Sequence, residues 1–82
     1  MYMKKGNMNT TYKTSDIGLA ATLALSFPVE GINKTNPKRA IFLFVESPNL
    51  KTVVEHYYLA KTGVEPMAFL NKIKTLKTMI NS

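Results

Sequence analysis

The sequence predicts an α+β fold, an antiparallel β-hairpin packed against three helices, and three observations carry that expectation. Residues 40–45 (Ala-Ile-Phe-Leu-Phe-Val) are six apolar residues in a row, rich in β-branched and aromatic side chains, which is the composition of a strand covered on both faces. The polar, basic stretch 33–39 (Asn-Lys-Thr-Asn-Pro-Lys-Arg) precedes it and reads as the turn of the hairpin. Prolines at 48 and 66 each open an amphipathic run, because a residue without an amide hydrogen is tolerated at the first helical position.

Residues 1–9 show no periodicity and are expected to be a flexible N-terminal tail, with residues 10–82 forming a single compact α+β domain. Residues 10–13 (Thr-Thr-Tyr-Lys) are a candidate third, edge strand. Thr14, Ser15 and Asp16 offer short oxygens to the unpaired amides of a first helical turn. A helix is therefore expected over 15–25, apolar almost all round and buried against both sheet and helices. Pro28 ends it. Residues 27–33 give the first hairpin strand, with Gly31 a candidate bulge, and residues 39–46 the second, central strand. The second helix starts at Ser47-Pro48, carries Leu50, Val53, Val54 and Tyr57 as its apolar stripe, and stops at Gly63. The third starts at Pro66 with the stripe Phe69, Leu70, Ile73, Leu76 and Ile80; Lys74 and Lys77 fall on one flank of it and Lys72 elsewhere.

Eighty-two residues without a cysteine must hold a small core with neither disulfides nor thiolate–metal sites. Chains of this size often gain stability from an assembly, so a homodimer or a protein partner is among the expectations. Eleven Lys and Arg against five acids give a net charge of +6. The charge is unevenly spread: +2 over residues 1–16, +2 over 30–39, −1 over 46–65 and +3 over 66–82. Such asymmetry suits a polyanion, nucleic acid ahead of an anionic membrane, although lysines that merely keep a surface soluble are the competing explanation. No apolar stretch reaches the ~20 residues that span a bilayer. Asp16, abutting the apolar run 17–25, argues against a cleaved secretion signal. The cytoplasm is the expected location.

A set of short patterns runs through the chain: Tyr12-Lys-Thr-Ser-Asp16, Leu19-Ala-Ala21, Asn36-Pro37 with Arg39, Phe42-x-Phe44, Ser47-Pro48, Val54-Glu55 with Tyr57, and Val64-x-Pro66 with Phe69-Leu70. In these the chain resembles a small bacterial and phage family known as a domain of unknown function. The resemblance covers roughly residues 12–80, and the family's usual Tyr-Trp pair reads Tyr57-Tyr58 here. It implies one compact fold and a mobile-element context in which DNA-handling neighbours are common. It implies no activity, cofactor or catalytic residue.

Little in the chain points to catalysis. His56 is the single histidine, and Glu55 beside it points about 100° away on a helix, so the two do not converge on a metal. Asp16, Glu30, Glu46 and Glu65 stand at element ends without the pairing that acid–base work needs. The four glycines, at 6, 18, 31 and 63, are scattered and build no phosphate loop. Residues 39–45 faintly resemble the strand of an RNA-recognition motif that stacks bases, and the element order follows that fold until a Lys-rich helix replaces its last strand. Phe42 and Phe44 are expected to face the helices as core; were they exposed on an open sheet, base stacking would be the first reading.

The expected function is a non-enzymatic nucleic-acid-binding accessory protein of a phage or mobile element, DNA ahead of RNA. Lys34, Lys38 and Arg39 at the hairpin tip would grip phosphates, with Lys72, Lys74 and Lys77 in support, and with no cofactor and no metal. A polar turn whose Arg39 pairs with Glu46 or Glu30 is the structural alternative for the tip. The alternative function is a small homo-oligomeric interaction module or a regulator of a host or phage enzyme, with the apolar helix 17–25 or the Tyr57-Tyr58 edge as its interface.

Overall fold

Three side chains start the three helices. The structure, a computed structural model, describes residues 10–36, 38–60 and 63–81; the tail expected over 1–9 and Pro37 of the hairpin turn lie outside the described residues. Asp16 Oδ1 accepts the amides of Gly18 and Leu19 at 2.9 and 3.2 Å and opens α1 (Ile17–Ala24). Ser47 Oγ accepts the Leu50 amide at 3.1 Å and, with Pro48 behind it, opens α2 (Pro48–Tyr58). Both carboxylate oxygens of Glu65 are engaged, by the Met67 and Ala68 amides at 3.0 and 2.9 Å, and open α3 (Pro66–Ile80). Each bond satisfies a donor that the helix itself leaves unpaired. At Glu65 the same two bonds hold the carboxyl below the ordinary glutamate range.

Three strands complete the α+β fold: β1 (Thr11–Thr14), β2 (Gly31–Asn33) and β3 (Ile41–Val45), in the order β1-β3-β2 and antiparallel throughout. β3 is thus central, and β1–α1–β2 is a split unit with β3 inserted between its strands. The strand expected over 10–13 is shifted by one residue. The first hairpin strand is much shorter than residues 27–33, and Gly31 pairs in the ladder opposite Leu43 instead of forming a bulge. The register sets the two faces. Tyr12, Thr14, Ile32, Phe42 and Phe44 lie on one side, and Thr11, Lys13, Gly31, Asn33, Ile41, Leu43 and Val45 on the other.

The helices cover the first of these faces. Leu19, Ala20, Ala21, Thr22 and Leu23 of α1 are all buried, and five consecutive helical positions sweep more than one full turn, so α1 is enclosed on every side. It contacts β1, α2 and α3, and its core partners are Phe42 and Phe44 of β3, Leu50 of α2 and Leu76 of α3. The one buried hydroxyl in that run, Thr22 Oγ1, donates to the Gly18 carbonyl at 3.0 Å. Among the described residues, the opposite sheet face is the more open one. Ile41 and Leu43 are half-buried, Val45 is 48% exposed, and none of the three joins the core. The expectation that β3 is covered on both faces is therefore corrected. An unbroken apolar run does not distinguish a strand buried twice from one whose outer side chains stay apolar.

Two further corrections concern the helices. α2 ends at Tyr58, well before Gly63, because Ala60 takes the left-handed conformation (φ 58°) while its amide donates to the Tyr57 carbonyl at 3.0 Å. Leu70, expected on the apolar stripe of α3, is 51% exposed, whereas Phe69, Ile73, Leu76 and Ile80 pack inward as expected.

Two substitutions test this packing. A Cβ on Gly18 would lie 2.6 Å from the Tyr57 hydroxyl oxygen, 3.3 Å from Asp16 Oδ1 and 3.7 Å from the Tyr57 ring carbon. Gly18→Ala is expected to cost about 1–3 kcal/mol in denaturant unfolding, and Gly18→Ala with Tyr57→Phe to recover part of it, since the hydroxyl contact is removed while the one with the capping Asp16 oxygen stays. Ala60→Gly is expected to stabilise by about 0.5–1 kcal/mol, because it removes the side chain from a left-handed position. For Glu65, whose folded pKa is depressed, the capping contribution is complete above the ordinary glutamate pKa and is lost as pH falls through the lowered folded value. Acid titration followed by circular dichroism should show this loss in the wild type and not in Glu65→Gln.

Candidate functional site

The hairpin tip is folded by its own amides. Asn33 Oδ1 accepts the Thr35 amide and Asn36 Oδ1 the Lys38 amide, both at 2.9 Å, and the Arg39 amide donates to the Asn36 carbonyl at 3.0 Å. The last turn of α3 approaches this tip. Its position is set upstream by Leu76, which is 1% exposed, and by Ile80, which packs on the core. Asn81 closes the helix with its amide on the Lys77 carbonyl at 3.1 Å.

Between tip and helix end lies a groove of about 410 Å³, lined by Lys34, Asn36, Lys38, Arg39 and Ala40 on one side and Ile80 and Asn81 on the other. Among the described residues, three that line it are cationic and none is acidic. Lys34, Lys38 and Arg39 are exposed, so their field acts on solutes outside the protein and is screened by salt. Glu46, considered above as a partner of Arg39, instead lies 3.9 Å from Lys51 Nζ.

Of the six basic residues singled out from the sequence, the structure thus gathers Lys34, Lys38 and Arg39 around one groove. Lys72, Lys74 and Lys77 do not line it. Lys74 and Lys77 are exposed on one flank of α3, whereas Lys72 is half-buried and projects on the other flank. Lys77 also complements the negative end of its own helix, which is a structural reason for its presence. Ala40, Ile80 and Asn81 were not legible as site residues. Ile80 reads as part of an apolar stripe and Asn81 as a helix terminus, and no local pattern reports that residue 81 meets residue 36.

Phe42 and Phe44 are 1% and 0% exposed and belong to the core. On the more open sheet face, where a base would have to stack, β3 offers Ile41, Leu43 and Val45, none of them aromatic. The likeness to an RNA-recognition motif therefore extends to strand order and not to chemistry. His56 is exposed on α2, and among the described residues no three His, Asp or Glu side chains converge on a metal position. The apolar helix proposed as an interface is α1, which is buried within the chain and unavailable to a partner. The Tyr57-Tyr58 edge is available in part. The two rings stand 5.6 Å apart and nearly perpendicular, with Tyr57 half-buried and Tyr58 65% exposed. Burial raises the pKa of Tyr57, aided by Asp16 and Tyr58, and that of Tyr12, aided by Tyr58, Asp16 and Glu46. No helix among the described residues is long and apolar enough to cross a membrane.

A family described as Domain of unknown function (DUF5659) matches residues 9–82, and the chain belongs to that family. No curated protein and no solved structure matches the chain.

The burial of the Phe pair has a direct consequence. Phe44→Ala is expected to cost about 3–5 kcal/mol of stability, a large share of what so small a domain possesses, whereas an exposed stacking residue would cost little. Urea unfolding of the variant measures the difference.

Proposed function

We propose that this chain is a non-enzymatic nucleic-acid-binding accessory protein that grips phosphates through Lys34, Lys38 and Arg39. The observation that carries the reading is the groove itself: among the described residues it is lined by Lys34, Lys38 and Arg39 and by no acidic side chain, opposite a helix end whose Ile80 packs on the core. Lysine and arginine donors of this kind neutralise phosphate charge and release counterions, which gives affinity without base sequence information. Lys74 and Lys77, exposed along α3, extend the positive surface away from the groove; Lys72 has the smaller role that its half-buried place allows. A cytoplasmic location and the mobile-element context implied by the family resemblance are parts of the same proposal.

A second reading is favoured by a different observation. Tyr58, Leu59, Met67 and Leu70 are large apolar side chains left exposed around the end of α2 and the start of α3. Such residues suit a protein partner, including a second copy of the chain. This reading differs in its salt dependence: burial of apolar area survives high salt, and phosphate contact does not.

Binding of DNA and RNA measured across a salt series tests the leading reading. The logarithm of the affinity should fall linearly with the logarithm of salt concentration, and Lys38→Ala with Arg39→Ala should weaken binding and reduce that slope by roughly one per phosphate contact removed. Binding that is absent at low salt, or indifferent to these substitutions, would sink it.

A further inference from the structure

We infer that the groove takes one unpaired nucleotide, so that the protein prefers single-stranded nucleic acid or an extruded nucleotide to an intact duplex. The inference rests on the phosphate-binding reading above and adds to it the shape and the chemical division of the site. Phosphate contact alone needs only exposed cations on a convex surface. Here the cations stand on one wall of a concavity of about 410 Å³, a volume at the small-ligand end of the roughly 300–1,000 Å³ typical of binding pockets. A mononucleotide unit is small enough to enter it, and a duplex is not.

The lining separates into three kinds of chemistry. Lys34, Lys38 and Arg39 supply positive charge for a phosphate. Ala40 and Ile80 supply apolar surface against which a sugar or base loses water. Asn36 and Asn81 carry side-chain amides at opposite sides, and amides both donate to and accept from the edge of a base. Asn36 uses its side-chain oxygen on the Lys38 amide, so the group it presents to a ligand is its NH₂ donor. At the Asn81 wall the end of α3 brings backbone carbonyls, which attract donors such as an exocyclic amine and repel a phosphate. A nucleotide entering with its phosphate toward the tip and its base toward α3 matches both signs. A base paired in a duplex has its edge occupied and cannot be presented in this way.

Among the described residues no aromatic side chain lines the groove, so they do not supply the stacking that usually strengthens single-strand binding. The affinity should accordingly be modest and strongly dependent on salt, and the preference for an unpaired strand should come from access. Ala40 is therefore the informative position. Ala40→Met fills the groove without changing its charge, whereas Lys38→Ala lowers the charge without filling it.

The test compares one oligonucleotide, single-stranded and annealed to its complement, as DNA and as RNA, at one low salt concentration, with the intact chain. The expected result is a single-strand affinity about tenfold or more above that of the duplex. Ala40→Met should lower the single-strand affinity more than the duplex affinity and so shrink the ratio between them, while Lys38→Ala should weaken both. Equal binding of both forms by the wild type would overturn the unpaired-nucleotide inference and leave the phosphate reading standing. Binding of neither form would overturn both. Because the wild-type comparison decides without any variant, a failure of Ala40→Met to fold does not remove the test.

Discussion

The structure depends on one burial, that of Leu19–Leu23 between the sheet and the two other helices. Leu19, Ala20, Ala21 and Leu23 are fully enclosed, and they meet Phe42 and Phe44 from β3, Leu50 from α2 and Leu76 from α3. These eight residues are the fully buried apolar side chains among the described residues. Each large one contributes on the order of 1.5–3 kcal/mol, against a net stability of about 5–15 kcal/mol for a typical domain. The alanines at 20 and 21 and the glycine at 18 matter as much as the leucines. They leave room for α2 and α3 to lie against α1, and Tyr57 fills the space above Gly18.

The same burial determines where function can reside. It turns both phenylalanines of β3 inward, which removes them as stacking platforms and leaves an aliphatic outer sheet face. It also fixes α3 through Leu76, about one helical turn before Ile80, so the helix end stands against the hairpin tip as a consequence of core packing. The wall bearing Ile80 is thus placed by its packing on the core. The opposite wall is shaped by the asparagine-capped turns at residues 33–39. A basic turn is common on protein surfaces; a basic turn facing a core-anchored helix end is more specific.

Local chemistry was legible in the sequence wherever a short-range rule applies. Asp16 and the Ser47-Pro48 and Pro66 starts mark helices within a residue or two, because caps and proline act on neighbouring amides. The burial of α1 and of the Phe pair was legible because no other placement hides so much apolar surface. The end of α2 was not, since Ala60 adopts a conformation that composition assigns to glycine. Neither was the more open outer face of β3, because alternation fails as a signal when both faces are apolar. At the site, the cations of the tip were visible and the groove was not. It is made by residues some forty positions apart that line one space, which no local pattern encodes.

The central claim is that tip and helix end meet in the unliganded protein. The sequence contains no cysteine, so Asn81→Cys offers a single attachment point for a nitroxide. Amide resonances of Lys38, Arg39 and Ala40 should broaden strongly, alongside that of Leu76 on the same helix, which serves as the internal control. Broadening of Leu76 with no effect on the three tip residues would show that α3 ends away from the hairpin, and the groove would not exist.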